Sequence, residues 1–175
     1  LKKMNRRYTR EQYLDIISKV KKIRPDIALG TDIIVGFCSE TDEDFMDTVD
    51  LFLKADFDIS YTAQYSKRSG TLAAKLWEDD VPREEKKRRW EFLQKTMEEN
   101  VLRKNQAFVD KVLPVLIEKS EEGYLHGLGR VTWLIGKTPE QKIVKFVGTA
   151  DDVGEIVPVK ILEAKEWQLI GKKVK

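Results

Sequence analysis

The stretch TDIIVGFCSETDEDF, from Thr31 to Phe45, determines how the first half of the chain is interpreted. An apolar run ends at Gly36, and three acidic residues follow Thr41 before the apolar rhythm resumes. Glycine suits a sharp turn. A threonine followed by acids suits a helix start, because its hydroxyl accepts a backbone N–H and the acids face the positive end of the helix dipole. The stretch therefore predicts a strand, a turn at Gly36 and a helix from about Thr41.

The flanking segments extend this alternation of helix and strand. Thr9 opens a capping box, and Pro25 ends the helix that follows it. A second strand is predicted at 57–66, then a loop at 67–82 and a charged helix from about Arg83 to Asn105. This order indicates βα units on a parallel sheet, whose uniformly apolar first strand suits burial on both faces. Two strands cannot close such a sheet, so residues 1–105 are predicted to be part of a larger α/β barrel or doubly wound domain.

After Asn105 the sequence changes to short apolar pieces separated by glycines and acids. About five strands in some seventy residues indicate a small all-β barrel. The predicted fold class is therefore α/β followed by all-β, with an antiparallel five-stranded barrel in residues 106–175.

The composition argues against several classes of protein. The chain has 175 residues and a net charge of +2, which is unlike a strongly basic nucleic-acid arm. No apolar run approaches the roughly 20 residues of a membrane helix, and the start LKKMNRRY lacks the apolar segment of a signal peptide. The single cysteine, Cys38, excludes an internal disulfide and indicates a reducing cytoplasm.

Ligands of parallel α/β sheets bind beyond the carboxyl ends of the strands, where Gly36 lies. Glycine there allows a ligand to approach the backbone. From these features alone, a tight turn before a capped helix is the simpler interpretation. Asp32 shares a strand face with Ile34 and Gly36, and a carboxylate buried there must be paired or hydrogen-bonded.

Three motifs in order, MNRRYTREQYLDII, TDIIVGFCSETDEDF and YSKRSGTLAA, resemble the later part of radical-SAM methylthiotransferases. The resemblance covers nearly the whole chain. It implies a partial TIM-like (βα) barrel that binds S-adenosylmethionine, followed by a TRAM domain with an OB-like barrel. It also implies 4Fe-4S clusters, and transfer of a methylthio group to an adenosine beside the tRNA anticodon.

The chain departs from the family pattern in its cysteines. Cys38 and Ser39 replace the Pro-Gly of the family's FPGET motif, and the CxxxCxxC cluster motif is missing. One cysteine cannot hold a four-iron cluster, so the cluster ligands are absent from this chain. We therefore expect a carboxyl-terminal fragment, with an upstream cluster-binding half of the same enzyme as its partner. The chain alone should not be active.

The resemblance assigns site residues. Those expected to contact S-adenosylmethionine are Arg6, Asp32, Ile34, Gly36 and Tyr65. Core packing is the alternative for Ile34, and Arg6 either pairs with Asp32 or the cofactor carboxylate or is a solvated surface residue. Glu40 is expected to cap a helix, Cys38 to be incidental, and the run REEKKRRW to be a solvated helix face.

The residues expected to contact the anticodon stem-loop of tRNA are Arg68, Arg130, Trp133, Lys142 and Lys145. The cations would meet phosphates and the indole would stack on a base, although Trp133 equally suits a core position. Two other functions remain open: methylthiolation of a ribosomal-protein aspartate, and RNA binding without catalysis. The substrate rests on the resemblance alone.

Overall fold

The computed structural model describes residues 1–174, and they form two compact units, Leu1–Asn100 and the part from Val101 on. The division into domains at residues 105 and 106 remains a prediction, and its last residue, Lys175, lies outside the described residues. The first elements are α1 (Arg10–Ile23), β1 (Gly30–Val35), α2 (Asp42–Ala55), β2 (Ile59–Gln64), α3 (Leu72–Leu76) and α4 (Arg83–Gln106). They are followed by β3 (Val112–Leu125), β4 (Gly129–Lys137), β5 (Ile143–Val147), a 3-10 turn (Ala150–Asp152), β6 (Ile156–Ala164) and β7 (Leu169–Lys173).

Both predicted helix starts are confirmed by reciprocal capping. The Thr9 hydroxyl accepts from the Gln12 N–H at 3.2 Å, and the Gln12 side chain accepts from the Thr9 N–H at 2.8 Å. Thr41 and Asp44 make the same exchange at the start of α2. The predicted loop contains one short helix that was missed, α3, whose N-cap is Thr71.

The two strands of the first unit are parallel, as predicted, but β1 is not buried on both faces. One face packs on α2 and α4 through a core of Ile33, Val35, Phe45, Val49, Trp90 and Leu93. The other face carries Asp32, Ile34, Tyr61 and Ala63, all exposed. Within residues 1–174, helices cover only one side of this pair of strands. We call the uncovered side the open face.

The second unit is a closed barrel with strand order β3-β4-β5-β7-β6. Its core is wholly apolar: Val115, Ile117, Leu134, Val144, Phe146, Val157, Val159, Ile161 and Leu169. The predicted five strands are confirmed, but the barrel is mixed because β5 and β7 run parallel. A closed ring of five strands cannot alternate in direction at every step, so an all-antiparallel arrangement was never possible.

Strand β3 is longer than its sequence pattern indicated and continues to Leu125. Beyond the barrel it pairs with the start of β4, in the register Gly123↔Val131, Tyr124↔Arg130 and Leu125↔Gly129. β5 first joins β4 at Trp133. Residues 123–131 therefore form a two-stranded projection, which we call the hairpin arm.

Candidate ligand and RNA surfaces

The open face combines one carboxylate with apolar side chains. The register places Asp32 beside Tyr61 and Ile34 beside Ala63. Ile34 is 45% exposed and Tyr61 66% exposed, so neither is core. Asp32 is also exposed, so the expectation of a buried, paired carboxylate is wrong; its face has no covering layer in this chain. Asp32 forms no ion pair with Arg6. The Arg6 side chain is exposed.

The turn after β1 is tied together by its own backbone and by Glu40. Gly36 has φ +69°, and its N–H donates to Glu40 Oε1 at 2.9 Å. The Glu40 N–H donates to the Phe37 carbonyl at 2.9 Å. Glu40 therefore closes the turn, and the prediction that it caps the helix is wrong because Thr41 is the N-cap.

A buried arginine from α4 anchors this turn. Arg89 is 4% exposed and donates to Glu40 Oε1 at 2.8 Å and to the Glu40 carbonyl at 3.0 Å. Its Nε donates to Glu85 at 2.7 Å. The pKa of Glu85 is lowered to about 2, mainly by a hydrogen bond from Arg88 and to a lesser extent by one from Arg89. These bonds outweigh the opposite effect of partial burial. Arg89 thus holds the end of β1 against α4.

Lys86, one turn earlier on α4, fills the space beside Gly36. A Cβ at Gly36 would overlap Lys86 Cγ, so the glycine makes room for a lysine stem. The ammonium group of Lys86 pairs with Asp79 and donates to the Tyr65 carbonyl at 3.2 Å. The backbone conformation at Gly36 and this packing account for the glycine without a ligand.

The prediction that REEKKRRW is a solvated face is therefore wrong for two of its members, Lys86 and Arg89. For Lys86, the sequence pattern could have indicated burial. The apolar stripe of α4 runs through Trp90, Leu93 and Met97, and four residues before Trp90 is Lys86. Because the run REEKKRRW carries charges of both signs, Lys86 was not recognised as a continuation of the apolar stripe.

Tyr65 is only partly available to a ligand. Its ring meets Phe37 edge-on at 4.9 Å between centroids, and Lys86 Nζ lies 5.3 Å from the ring centre. A hydrogen bond to the Cys38 sulfur, together with partial desolvation, raises the pKa of the Tyr65 hydroxyl. Cys38 is buried. Arg68 lies on the exposed loop that follows β2.

In the second unit, Trp133 lies on the outer side of the barrel, next to the inward-facing Leu134. The indole is not core, but it is covered. Lys145 Nζ lies 4.9 Å from the ring centre, and a Cβ at Gly123 would come within 2.6 Å of the indole Cδ1. Trp133 is therefore half-buried between a cation and a glycine of the neighbouring strand.

The predicted cations of the barrel do not share one face. Arg130 is exposed on the hairpin arm, three residues before Trp133, so strand alternation turns it to the opposite side from Trp133. Lys145 is on the side of Trp133, near Glu121, whose pKa is lowered first by its hydrogen bond from Lys119 and also by Lys145. Lys142 is 7% exposed, which does not suit a phosphate contact.

Comparison with known proteins finds similar sequences for both units. Residues 127–174 match the family model described as TRAM domain. A tRNA-2-methylthio-N(6)-dimethylallyladenosine synthase of Clostridium botulinum is 43% identical over 177 aligned positions, which cover 99% of this chain. Proteins of the same name from Acetivibrio thermocellus and Geobacillus thermodenitrificans are 45% and 42% identical over 100% and 98% of the chain.

Over nearly its whole length, the chain is similar to part of these tRNA-2-methylthio-N(6)-dimethylallyladenosine synthases. It spans only part of its relatives, covering 37% of the Clostridium botulinum protein and 35% and 32% of the other two. The resemblance found in the three sequence motifs is thereby confirmed.

The described residues do not fit an iron–sulfur cluster. Cys38 is the single cysteine and is buried. Across residues 1–174 no three or more His, Cys, Asp or Glu side chains are grouped to hold a metal ion. In the same range, no helix is both long and apolar enough to span a membrane.

Proposed function

We propose that this chain is the carboxyl-terminal part of a tRNA methylthiotransferase that adds a methylthio group to an adenosine beside the anticodon. The observation that supports this most strongly is the 43% identity over 99% of the chain to a synthase named for that product. Within such an enzyme the first unit would contribute S-adenosylmethionine contacts and the TRAM domain would bind RNA. The reducing cytoplasm, where tRNA is modified, is the proposed location.

The open face is the part of the first unit that fits S-adenosylmethionine. An adenosyl group needs an apolar wall with polar groups at its edge, and the open face offers Ile34, Ala63 and the carboxylate of Asp32. Gly36 can contribute backbone only, and Tyr65 only its exposed edge. Arg6 stays a proposed partner of the cofactor carboxylate. In the enzyme S-adenosylmethionine supplies a radical; these residues bind and orient it.

The 4Fe-4S clusters must be held by residues outside this chain, because the described residues offer no ligand set for them. We expect the chain by itself neither to bind a cluster nor to cleave S-adenosylmethionine. Anaerobic reconstitution with iron and sulfide tests this. Stoichiometric cluster absorbance together with 5′-deoxyadenosine would contradict the assignment of the chain as the part without the cluster.

RNA binding is proposed for the second unit. From Asn105 onward the sequence has eleven Lys and Arg against ten Asp and Glu. Affinity must therefore come from a local surface rather than from net charge. Lys145 lies 4.9 Å from the Trp133 ring centre, and Arg130 is an exposed cation on the opposite side of the strand that carries Trp133. Each is a proposed phosphate contact on its own side of β4.

Titration of the whole chain with a synthetic anticodon stem-loop at low salt tests this proposal. We expect weak binding that weakens further as salt rises, because phosphate contacts release counterions. An Arg130→Glu/Lys145→Glu double variant should lose binding to every RNA and show a smaller salt slope. The matched control is Lys172→Glu on β7, since Lys172 is exposed; Lys173 is less suitable because it pairs with Asp152 at 2.7 Å.

Two outcomes would contradict the RNA assignment. One is equal affinity of the unaltered chain and the folded double variant. The other is a double variant that binds RNA normally but loses binding to a ribosomal protein, which would favour the aspartate-modifying relatives instead.

A further inference from the structure

The hairpin arm, residues 123–131, is the most exposed part of the second unit that carries both an aromatic ring and a cation. Tyr124 is 74% exposed and Leu128 72% exposed. Arg130 lies directly across from Tyr124 in the strand register. We propose that the hairpin arm binds unpaired RNA, with Tyr124 stacking on a base and Arg130 contacting the adjoining phosphate.

The first argument is that the aromatic ring chosen from the sequence is covered, whereas Tyr124 is open. Trp133 has Lys145 over its ring and Gly123 against its edge. Among the described residues, no other aromatic ring packs on Tyr124. A base needs a free ring face to stack on. Tyr124 therefore meets this requirement better than Trp133.

The second argument is the local charge. Arg130 is the only formally charged residue between 123 and 131, apart from the titratable His126. Of the nearest acids on β3, Glu121 is paired with Lys119 at 2.6 Å, whereas Glu122 accepts from the neutral Thr132 hydroxyl at 3.1 Å and keeps its charge. Within residues 123–131 themselves, the hairpin arm thus presents a cation and an aromatic ring to a phosphate chain without an acidic residue.

The third argument is the shape of the tip. Gly127 and Gly129 have φ of +86° and +82°, and a Cβ at either would meet nothing within 4 Å. Glycine is needed there for the backbone turn alone, so the tip is open on its sides and can reach between nucleotides. A double-stranded stem offers Arg130 only its phosphates, because its bases are already stacked. The ligand class is therefore a single-stranded loop.

This inference rests on the proposed RNA binding, and one titration series separates the two. The whole chain is titrated with the synthetic anticodon stem-loop and with a fully paired duplex of the same stem sequence. Tyr124→Leu should weaken stem-loop binding by roughly five- to a hundred-fold, the range found for loss of base stacking, and leave duplex binding unchanged. Tyr124→Phe should keep the affinity, because a phenyl ring still stacks.

Trp167→Leu is the matched control, since it removes an aromatic side chain that is 50% exposed on the connection between β6 and β7. It should bind like the unaltered chain. Circular dichroism must show each variant folded, as expected for such exposed positions.

If Tyr124→Leu binds the stem-loop normally while Arg130→Glu/Lys145→Glu does not, the hairpin-arm proposal is overturned and RNA binding stands. If the unaltered chain binds neither RNA, the proposed function itself fails. Loss of ribosomal-protein binding in Tyr124→Leu, with RNA binding intact, would make the hairpin arm a protein-docking element and also overturn the proposal.

Discussion

The two units bury the surfaces of their strands in different ways. In the second unit every strand has two neighbours and the inner face is a wholly apolar core. In the first unit two parallel strands are covered on one face only, and Ile34 and Tyr61 remain exposed. A closed barrel removes its own edges, whereas an open parallel pair depends on further layers.

The difference extends to polar groups. Among the buried residues of the first unit are Lys86, which pairs with Asp79, and Arg89, which pairs with Glu40 in the turn after β1. The core cluster of each unit contains only apolar side chains, and the second unit also buries polar residues such as Thr138 and Lys142. The units therefore differ beside their cores: an ionic network holds the proposed ligand edge of the first unit, whereas closure of the strands around an apolar core holds the barrel.

The largest expected effect is in the barrel core. Phe146→Ala removes a ring with 0% exposure and should lower the free energy of unfolding by about 3–5 kcal/mol. Val147→Ala, one residue on and 39% exposed, should change it by less than about 1 kcal/mol. Hydrogen exchange followed by peptide reads each unit separately. Similar losses of protection from both variants would mean that the barrel does not depend on that core.

The next largest effect is in the ionic network. Arg89→Met leaves Glu40 and Glu85 without their buried partner and should cost about 3 kcal/mol. Arg88→Met on the next residue is the control, because Arg88 is exposed, and it should leave β1 protection nearly unchanged. Exchange rates of the peptide spanning 30–41 measure both. Equal loss from the two arginines would show that burial of Arg89 is not what matters.

A smaller effect is expected at the turn. Gly36→Ala combines a positive φ, which costs about 1–2 kcal/mol for a residue with a Cβ, with overlap on Lys86. Gly70→Ala also has a positive φ, of +85°, but meets nothing within 4 Å. Thermal unfolding should rank Gly36→Ala as the more destabilised variant. The reverse ranking would mean that the lysine stem yields readily.

The smallest effect concerns acid. The pKa of Glu85 is about 2 in the folded chain and rises to its ordinary value of 4.5 on unfolding. Its ion pairs therefore contribute fully above about pH 4.5, and this contribution is lost as the pH falls toward 2. In the Glu85→Gln variant, the free energy of unfolding of the first unit should fall less steeply between pH 4.5 and pH 2. Hydrogen exchange measured as a function of pH tests this. Glu84→Gln, at an exposed neighbour, should leave the pH dependence unchanged; identical profiles for all three chains would refute the linkage.

The elements were predictable where local chemistry sets them. Thr9 and Thr41 begin helices because their hydroxyls cap them, and the alternating apolar pieces after Asn105 form strands because one face is buried. The presence of a parallel pair could have been inferred from the odd strand number once closure was assumed, but its identity as β5 and β7 depends on the strand order. The exposure of Asp32 could not be inferred in this way, because it depends on whether another layer covers the open face.

The candidate sites were less predictable than the fold. Lys142 and Trp133 have types suited to RNA, yet one is buried and the other covered, since strand alternation and neighbours across the sheet decide exposure. Arg89 was missed because its partners, Glu40 and Asp42, are distant in sequence. Tyr124 was missed because the length of β3 was underestimated.

The most direct test of the central claim is a chimera. This chain replaces the matching 37% of the Clostridium botulinum relative, and the product is expressed in cells that lack their own enzyme. Mass spectrometry of nucleosides from tRNA should then show the 2-methylthio form of N6-dimethylallyladenosine, as it does with the unaltered relative. A folded chimera that leaves this nucleoside without its methylthio group, beside an active unaltered relative, would contradict the assignment.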